Sequence, residues 1–172
     1  MPRPIRPIRI EGDAAYVTLT KGYVAVIDAA DVHLVEGRNW SASVCPHTVY
    51  AVWTAFARKG QSAIRMHRVI ANAPPEMEVD HKDHNGLNNR SSNLRLVTSS
   101  QNKHNGRTPS TNTSGYKGVS RDPQGPKWKA QICIQGKRRF IGRFDTAEEA
   151  HAAYCRASAD LHGEYGYTGW LE

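Results

Sequence analysis

Residues 128–135, WKAQICIQ, alternate apolar Trp128, Ala130, Ile132 and Ile134 with Lys129, Gln131, Cys133 and Gln135. A period of two predicts a strand with one buried face and one polar face. Gln135-Gly136 predicts a tight turn into a second strand, KRRFIGRF, and GYKGVSR before them predicts a third. Thr146, with Glu149 three residues on, is a capping box that predicts a helix start. Ala147, Ala150, Ala153, Tyr154, Ala157 and Leu161 then recur at three-to-four spacing. That small-residue stripe predicts a helix face able to approach a sheet closely, ending at Gly163. The last third of the chain is expected to be three antiparallel strands backed by one helix.

The earlier pattern is less regular. YVTLTKGYVAVI (16–27) and VYAVWT (49–54) are β-branched and aromatic runs that predict strands. ARKGQSA (57–63) predicts a hairpin turn, and IRMHRVIANA a strand passing into a short helix stopped by Pro74 and Pro75. NGRTPSTNTS (105–114) is polar and aperiodic, the expectation for a linker, and ten flexible residues span roughly 16–19 Å. The fold class is therefore α+β. The expected divisions are a β-rich region over 1–63, a finger over 64–106, a linker over 107–113 and the sheet-and-helix module over 114–172.

Charge changes this picture. The net charge is +7, unevenly placed: ten basic residues lie between Lys103 and Arg143, with Asp122 the one acid. A clustered basic stripe is the footprint of a nucleic-acid binder, whereas an ordinary soluble face mixes both signs. The three cysteines are far apart, without C-x-x-C spacing, and give neither a disulfide framework nor a thiolate zinc site. No apolar run reaches the roughly 18 residues needed to cross a bilayer, and the N-terminus lacks a secretory apolar core. The expectation is a protein of the cell interior with no membrane partner.

Residues 79–105, VDHKDHNGLNNRSSNLRLVTSSQNKHN, crowd six asparagines and three histidines around two carboxylates, Asp80 and Asp83. A calcium loop fails, because Lys82 falls at its third position from Asp80 and Leu94 at its twelfth from Asp83. A zinc deaminase fails for want of H-x-E and P-C-x-x-C. What remains is a hard-metal phosphodiesterase site. EVDH is read as a strand end whose adjacent carboxylate and imidazole diverge. Asp80 is then placed to hold a metal and His81 to face a water. Thr98 or Ser99 is expected to cap a short helix carrying Gln101, Asn102, Lys103 and His104.

D-H, a loop, N-L-R and T-x-x-x-N together resemble the HNH nuclease (ββα-metal finger) motif in its phage homing-endonuclease form, across residues 64–105. His81 matches its first position and Asn93 its central one. Asn102 takes the third position, where many relatives carry a second histidine. The Asp80–Asn93–Asn102 spacing of 13 and 9 residues matches that form. The resemblance implies that Asp80 and Asn102 hold one divalent ion, Mg²⁺ or Mn²⁺ by their oxygen chemistry. His81 is implied as general base, and Asn93 as the residue that holds His81 or its loop. His104, two residues from Asn102, is about 200° away around a helix and cannot share its ion. His67 resembles a recurring position of these nucleases, while His84 and Asp83 read as turn residues.

SGYKGVS, WKAQI, IGRFDT and AEEAHAAY resemble the apetala/ethylene-response-factor DNA-binding domain, across residues 114–164. In that family the outer face of the sheet meets the major groove. The resemblance implies DNA contacts from Lys117, Lys129, Gln131, Arg138 and Phe140, and the basic pattern adds Arg121 and Arg143. Ser120 and Cys133 stand where plant relatives place arginines, and Phe140 where they place tryptophan. Trp128 is expected to be core. Together the two resemblances imply a site-specific, homing-type DNA endonuclease, monomeric on double-stranded DNA, nicking it, in the cytoplasm of a phage-infected or bacterial cell. The alternative is a DNA-binding transcriptional regulator with an inactive HNH finger.

Overall fold

Ile8–Glu11 (β1), Ala14–Thr18 (β2) and Val24–Asp28 (β3) form an antiparallel sheet in the order β1-β2-β3. The computed structural model describes residues 4–54, 63–106, 108 and 111–168. The run 16–27 is thus the body of a hairpin, bent at a turn where Lys21 and Gly22 take positive φ. Ala15, Val17, Ala25 and Ile27 point inward by alternation. With Leu19, Val35, Trp40, Ala51 and Met66 they make the first core. The Trp40 indole is buried yet satisfied, donating to the Val35 carbonyl at 2.8 Å.

A short helix, Val32–Val35 (α1), leads to a second sheet of Ser41–Val44 (β4), Val49–Trp53 (β5) and Ile64–Arg65 (β6). β6 runs directly into Met66–Ile70 (α2), the expected strand-to-helix passage ahead of Pro74 and Pro75. The expected hairpin turn before it lies largely outside the described residues. Glu78–His81 (β7) then pairs antiparallel with Leu94–Val97 (β8).

The chain divides into two compact units, 1–97 and 98–172. The division falls ahead of the stretch read as a linker, because Ser99–Asn105 (α3) packs with the C-terminal residues. Thr98 caps α3 through a reciprocal box with Gln101. At the other end the Lys117 ammonium donates to the carbonyls of His104 (2.7 Å) and Gly106, two of the orphan acceptors of a helix C-terminus. The His104 ring stacks on His162 with centroids 3.8 Å apart. The side chains of Asn112 and Ser114 satisfy the Tyr116 and Val119 carbonyls.

Val119–Arg121 (β9), Trp128–Ile134 (β10) and Lys137–Phe144 (β11) form the last sheet, in the order β11-β10-β9. Gln135 (φ 49°) and Gly136 (φ 77°) both take the left-handed conformation that a two-residue hairpin requires. Ala147–His162 (α4), boxed by Thr146 and Glu149, covers the sheet through Ala147 and Ala150. The fold is α+β, with this helix packed on a three-stranded sheet as the pattern predicts.

The helix stripe needs one correction. Leu161 is 52% exposed, and His151, Ser158 and His162 are buried. Steps of four residues carry the inward line from Tyr154 through Ser158 to His162. His162 can be polar there because its Nε2 lies 3.0 Å from the Cys133 carbonyl.

Candidate active site

β7 ends in Asp80 and His81, both buried. Alternation sends these neighbours to opposite faces. Asp80 stands opposite Arg95 in the register, and its Oδ2 accepts from Arg95 Nε at 2.8 Å, with Nη2 also at 2.8 Å. His81 turns into an aromatic cluster. Its ring centroid is 5.0 Å from His67, edge-on, and 5.9 Å from Tyr50, while Tyr50 and His67 meet edge-on at 5.4 Å. His81 Nε2 lies 3.2 Å from Asn89 Oδ1.

Burial lowers the pKa of His81, against the opposing pull of Asn89, Asp83 and Asp80. Burial likewise pushes His67 down to about 3, helped by His81, Arg65 and Arg68. Near neutral pH both rings are uncharged, since a free imidazole titrates near 6.5. A neutral imidazole beside a strand end is the protonation state a general base needs.

Asn93 holds the loop rather than the imidazole. Its Oδ1 accepts from Asp83 N (3.1 Å), and its Nδ2 donates to Asp83 Oδ1 (2.9 Å) and Asn88 O (2.8 Å). Asp83 also accepts from Asn85 N and Asn88 Nδ2, so it is a turn residue, as is His84 with its φ of 60°. The loop is fastened to the N-terminal sheet. Arg90 Nε and Ser91 N donate to the two oxygens of Asp28, and Asn89 N donates to Val26 O at 2.7 Å. Val26 and Asp28 of β3 therefore anchor the loop that follows His81. The sequence carried no sign that Asn89, 0% exposed, is the partner of His81. Asn88 beside it has the same side chain, and only the fold separates their roles.

The structure brings Asp80, His81 and Asn93 together on one hairpin. Asn102 lies on α3, in the second unit. Among the described residues no three His, Cys, Asp or Glu side chains converge as a metal cage. One carboxylate and one amide as candidate ligands fit a hard cation that keeps much of its water, and do not fit zinc. His104 stacks on His162 within the second unit.

On the last sheet the register pairs Lys129 with Arg143, Gln131 with Phe140 and Cys133 with Arg138. Cross-strand partners share a face. This face is opposite the one that buries Ala130 and Ile132. Phe140 is 54% exposed on it, and the Arg143 guanidinium lies 5.4 Å from its ring centroid. Asp122, buried, pairs with Arg143 Nε and so fixes that guanidinium. Two further residues expected to contact DNA have other partners here. Arg121 pairs with Trp128, two places from inward Val119, and stacks over the Trp128 ring at 4.2 Å. Lys117 is spent on the end of α3, and burial lowers its pKa to about 8.

A strand-ending Asp-His pair with an aromatic-packed imidazole stands ahead of a sheet with a basic outer face. An HNH endonuclease family model matches residues 65–104, and an AP2 domain model matches residues 114–164. Protein 3.8 of Escherichia phage T7 is 35% identical over 92 residues, 54% of this chain and 75% of that protein. An uncharacterized HNH endonuclease, L560, of Acanthamoeba polyphaga mimivirus is 35% identical over 108 residues, 59% of this chain and 55% of that protein. The ethylene-responsive transcription factor ERN1 of Lotus japonicus is 38% identical over 71 residues, 40% of this chain and 26% of that protein. The chain belongs to the HNH endonuclease family and carries an AP2 domain behind its nuclease motif. Among the described residues no helix is long and apolar enough to cross a membrane.

Proposed function

We propose that this protein is a homing-type DNA endonuclease that nicks double-stranded DNA with one divalent ion, Mg²⁺ or Mn²⁺, acting as a monomer. In this reading residues 64–106 are the nuclease finger and residues 114–172 the reader of the target. Neutral, buried His81 beside Asp80 is the observation that carries it. Asp80 and Asn102 would hold the ion, which supplies stabilisation of the negative charge growing on the phosphate and the leaving oxygen. His81 takes the proton of the attacking water at its imidazole. Arg95 orients the Asp80 carboxylate, and Asn93 closes the loop that follows His81. On the reader, Lys129, Arg138 and Arg143 meet phosphates while Gln131 and Phe140 face base edges.

The reading is tested with the full chain, supercoiled plasmid bearing candidate sites, and Mg²⁺, Mn²⁺ or chelator. Metal-dependent open circles with ends at one recurring position support it. Linear products from the outset would replace nicking by double-strand cleavage, and scattered ends would remove the homing specificity.

A further inference from the structure

We propose that Asn89 is the positioning residue that fixes the tautomer of His81, placing the ring hydrogen on Nε2 and leaving Nδ1 as the atom that takes the proton. The inference rests on the reading of His81 as general base. Asn89 is 0% exposed, and its amide orientation follows from its neighbours. Nδ2 has two acceptors within reach, the Leu87 carbonyl at 3.2 Å and the Met66 sulfur at 3.8 Å. Turning the amide over would set its oxygen against both of them, and its N–H groups toward the ring. The oxygen therefore faces His81 Nε2, at 3.2 Å. An amide oxygen only accepts, so Nε2 must donate. A neutral imidazole carries one hydrogen, so Nδ1 keeps its lone pair.

The backbone of Asn89 is equally fixed. Asn89 N donates to Val26 O at 2.7 Å, and Val26 N donates to Leu87 O at 2.8 Å, a bridge that joins the loop to β3. The arrangement is that of a third group orienting a base, with a neutral amide where triads place a carboxylate. The amide keeps the tautomer set without adding a negative charge. His67 and Tyr50 pack on the ring, and Asp80 and Asp83 act on it through space. None of these four fixes Nε2 by a hydrogen bond, whereas Asn89 does.

The first test is ¹⁵N–¹H correlation of the imidazole nitrogens of the wild-type full chain at neutral pH, with His81 assigned by its loss in His81→Gln. The expected spectrum shows Nε2 protonated and Nδ1 bare. A protonated Nδ1 would overturn the proposal whether or not His81 is catalytic. The second test is cleavage of plasmid with Mg²⁺ by Asn89→Leu, which keeps the bulk but loses the acceptor; it should cut on the order of 10–100-fold more slowly and show mixed tautomers. A wild-type rate in Asn89→Leu, or a slow Asn89→Leu whose His81 ring still carries its hydrogen on Nε2 alone, would overturn the positioning role. Full cleavage by His81→Ala, with the tautomer as expected, would instead sink the general-base reading alone.

Discussion

At the scale of single residues, the site is built around two buried imidazoles, His67 and His81. His67 is 4% exposed and edge-on to both Tyr50 and His81. In the unfolded chain it takes a proton near pH 6.5, and in the folded chain only at about 3. Between those values the unfolded state binds more protons. Stability from this group is therefore full above pH 6.5 and is lost as pH falls toward 3, at up to about 1.4 kcal/mol per pH unit. His67→Phe should flatten the denaturation midpoint against pH between 6 and 4; an unchanged slope would show that another group carries it. The depressed His81 pKa has the same sign for activity. The acidic limb of the cleavage rate should lie below pH 6.5, where a free imidazole would already be half charged, and single-turnover rates from pH 5 to 8 measure it.

At the scale of elements, the strands and helices with strict periods were legible and the edges were not. β10, β11 and α4 follow from alternation, a Gln-Gly turn and a capping box. β1 and β4 escaped notice although both alternate, as Ile8-Arg9-Ile10-Glu11 and Ser41-Ala42-Ser43-Val44, because four residues are too short a run for a period of two to stand out. The Asp-His pair and Asn93 were visible as motif residues, and α3 with its cap was placed correctly by Thr98. Asn89 and Arg95 were invisible, since their partners lie across a loop and a strand register that only the fold supplies. The bonds of Lys117 to the end of α3 were not legible, because a lysine in a basic run looks alike whatever it meets. Gly118 sits in the same turn with a φ of 76°, and a Cβ there would lie 2.2 Å from the Tyr154 ring and 2.7 Å from the Gln131 carbonyl. Gly118→Ala should destabilise the C-terminal unit by about 2–4 kcal/mol, through both the conformation and the clash. A thermal melt followed on the α4 helix signal in far-UV circular dichroism reads it, and an unshifted midpoint would contradict the packing of α4 on this turn.

At the scale of the whole molecule, one chain joins an HNH endonuclease motif to an AP2 domain. A small nuclease site touches few base pairs, so the proposed function gives discrimination among many competing sites to the second module. Replacing Lys129, Arg138 and Arg143 together by alanine should flatten the log–log dependence of DNA binding on salt by about three units and scatter the cleavage ends. Unchanged site choice in that variant would move the reading function to another surface.

The central claim is that His81 does the chemistry while the rest of the chain holds the DNA. Its most direct measurement sets single-turnover cleavage beside DNA affinity for the wild type and His81→Ala, at one salt and one Mg²⁺ concentration. The account predicts that His81→Ala binds DNA within a few-fold of the wild type and cuts it about 10²–10⁴-fold more slowly. Cleavage by His81→Ala within a few-fold of the wild-type rate would contradict it.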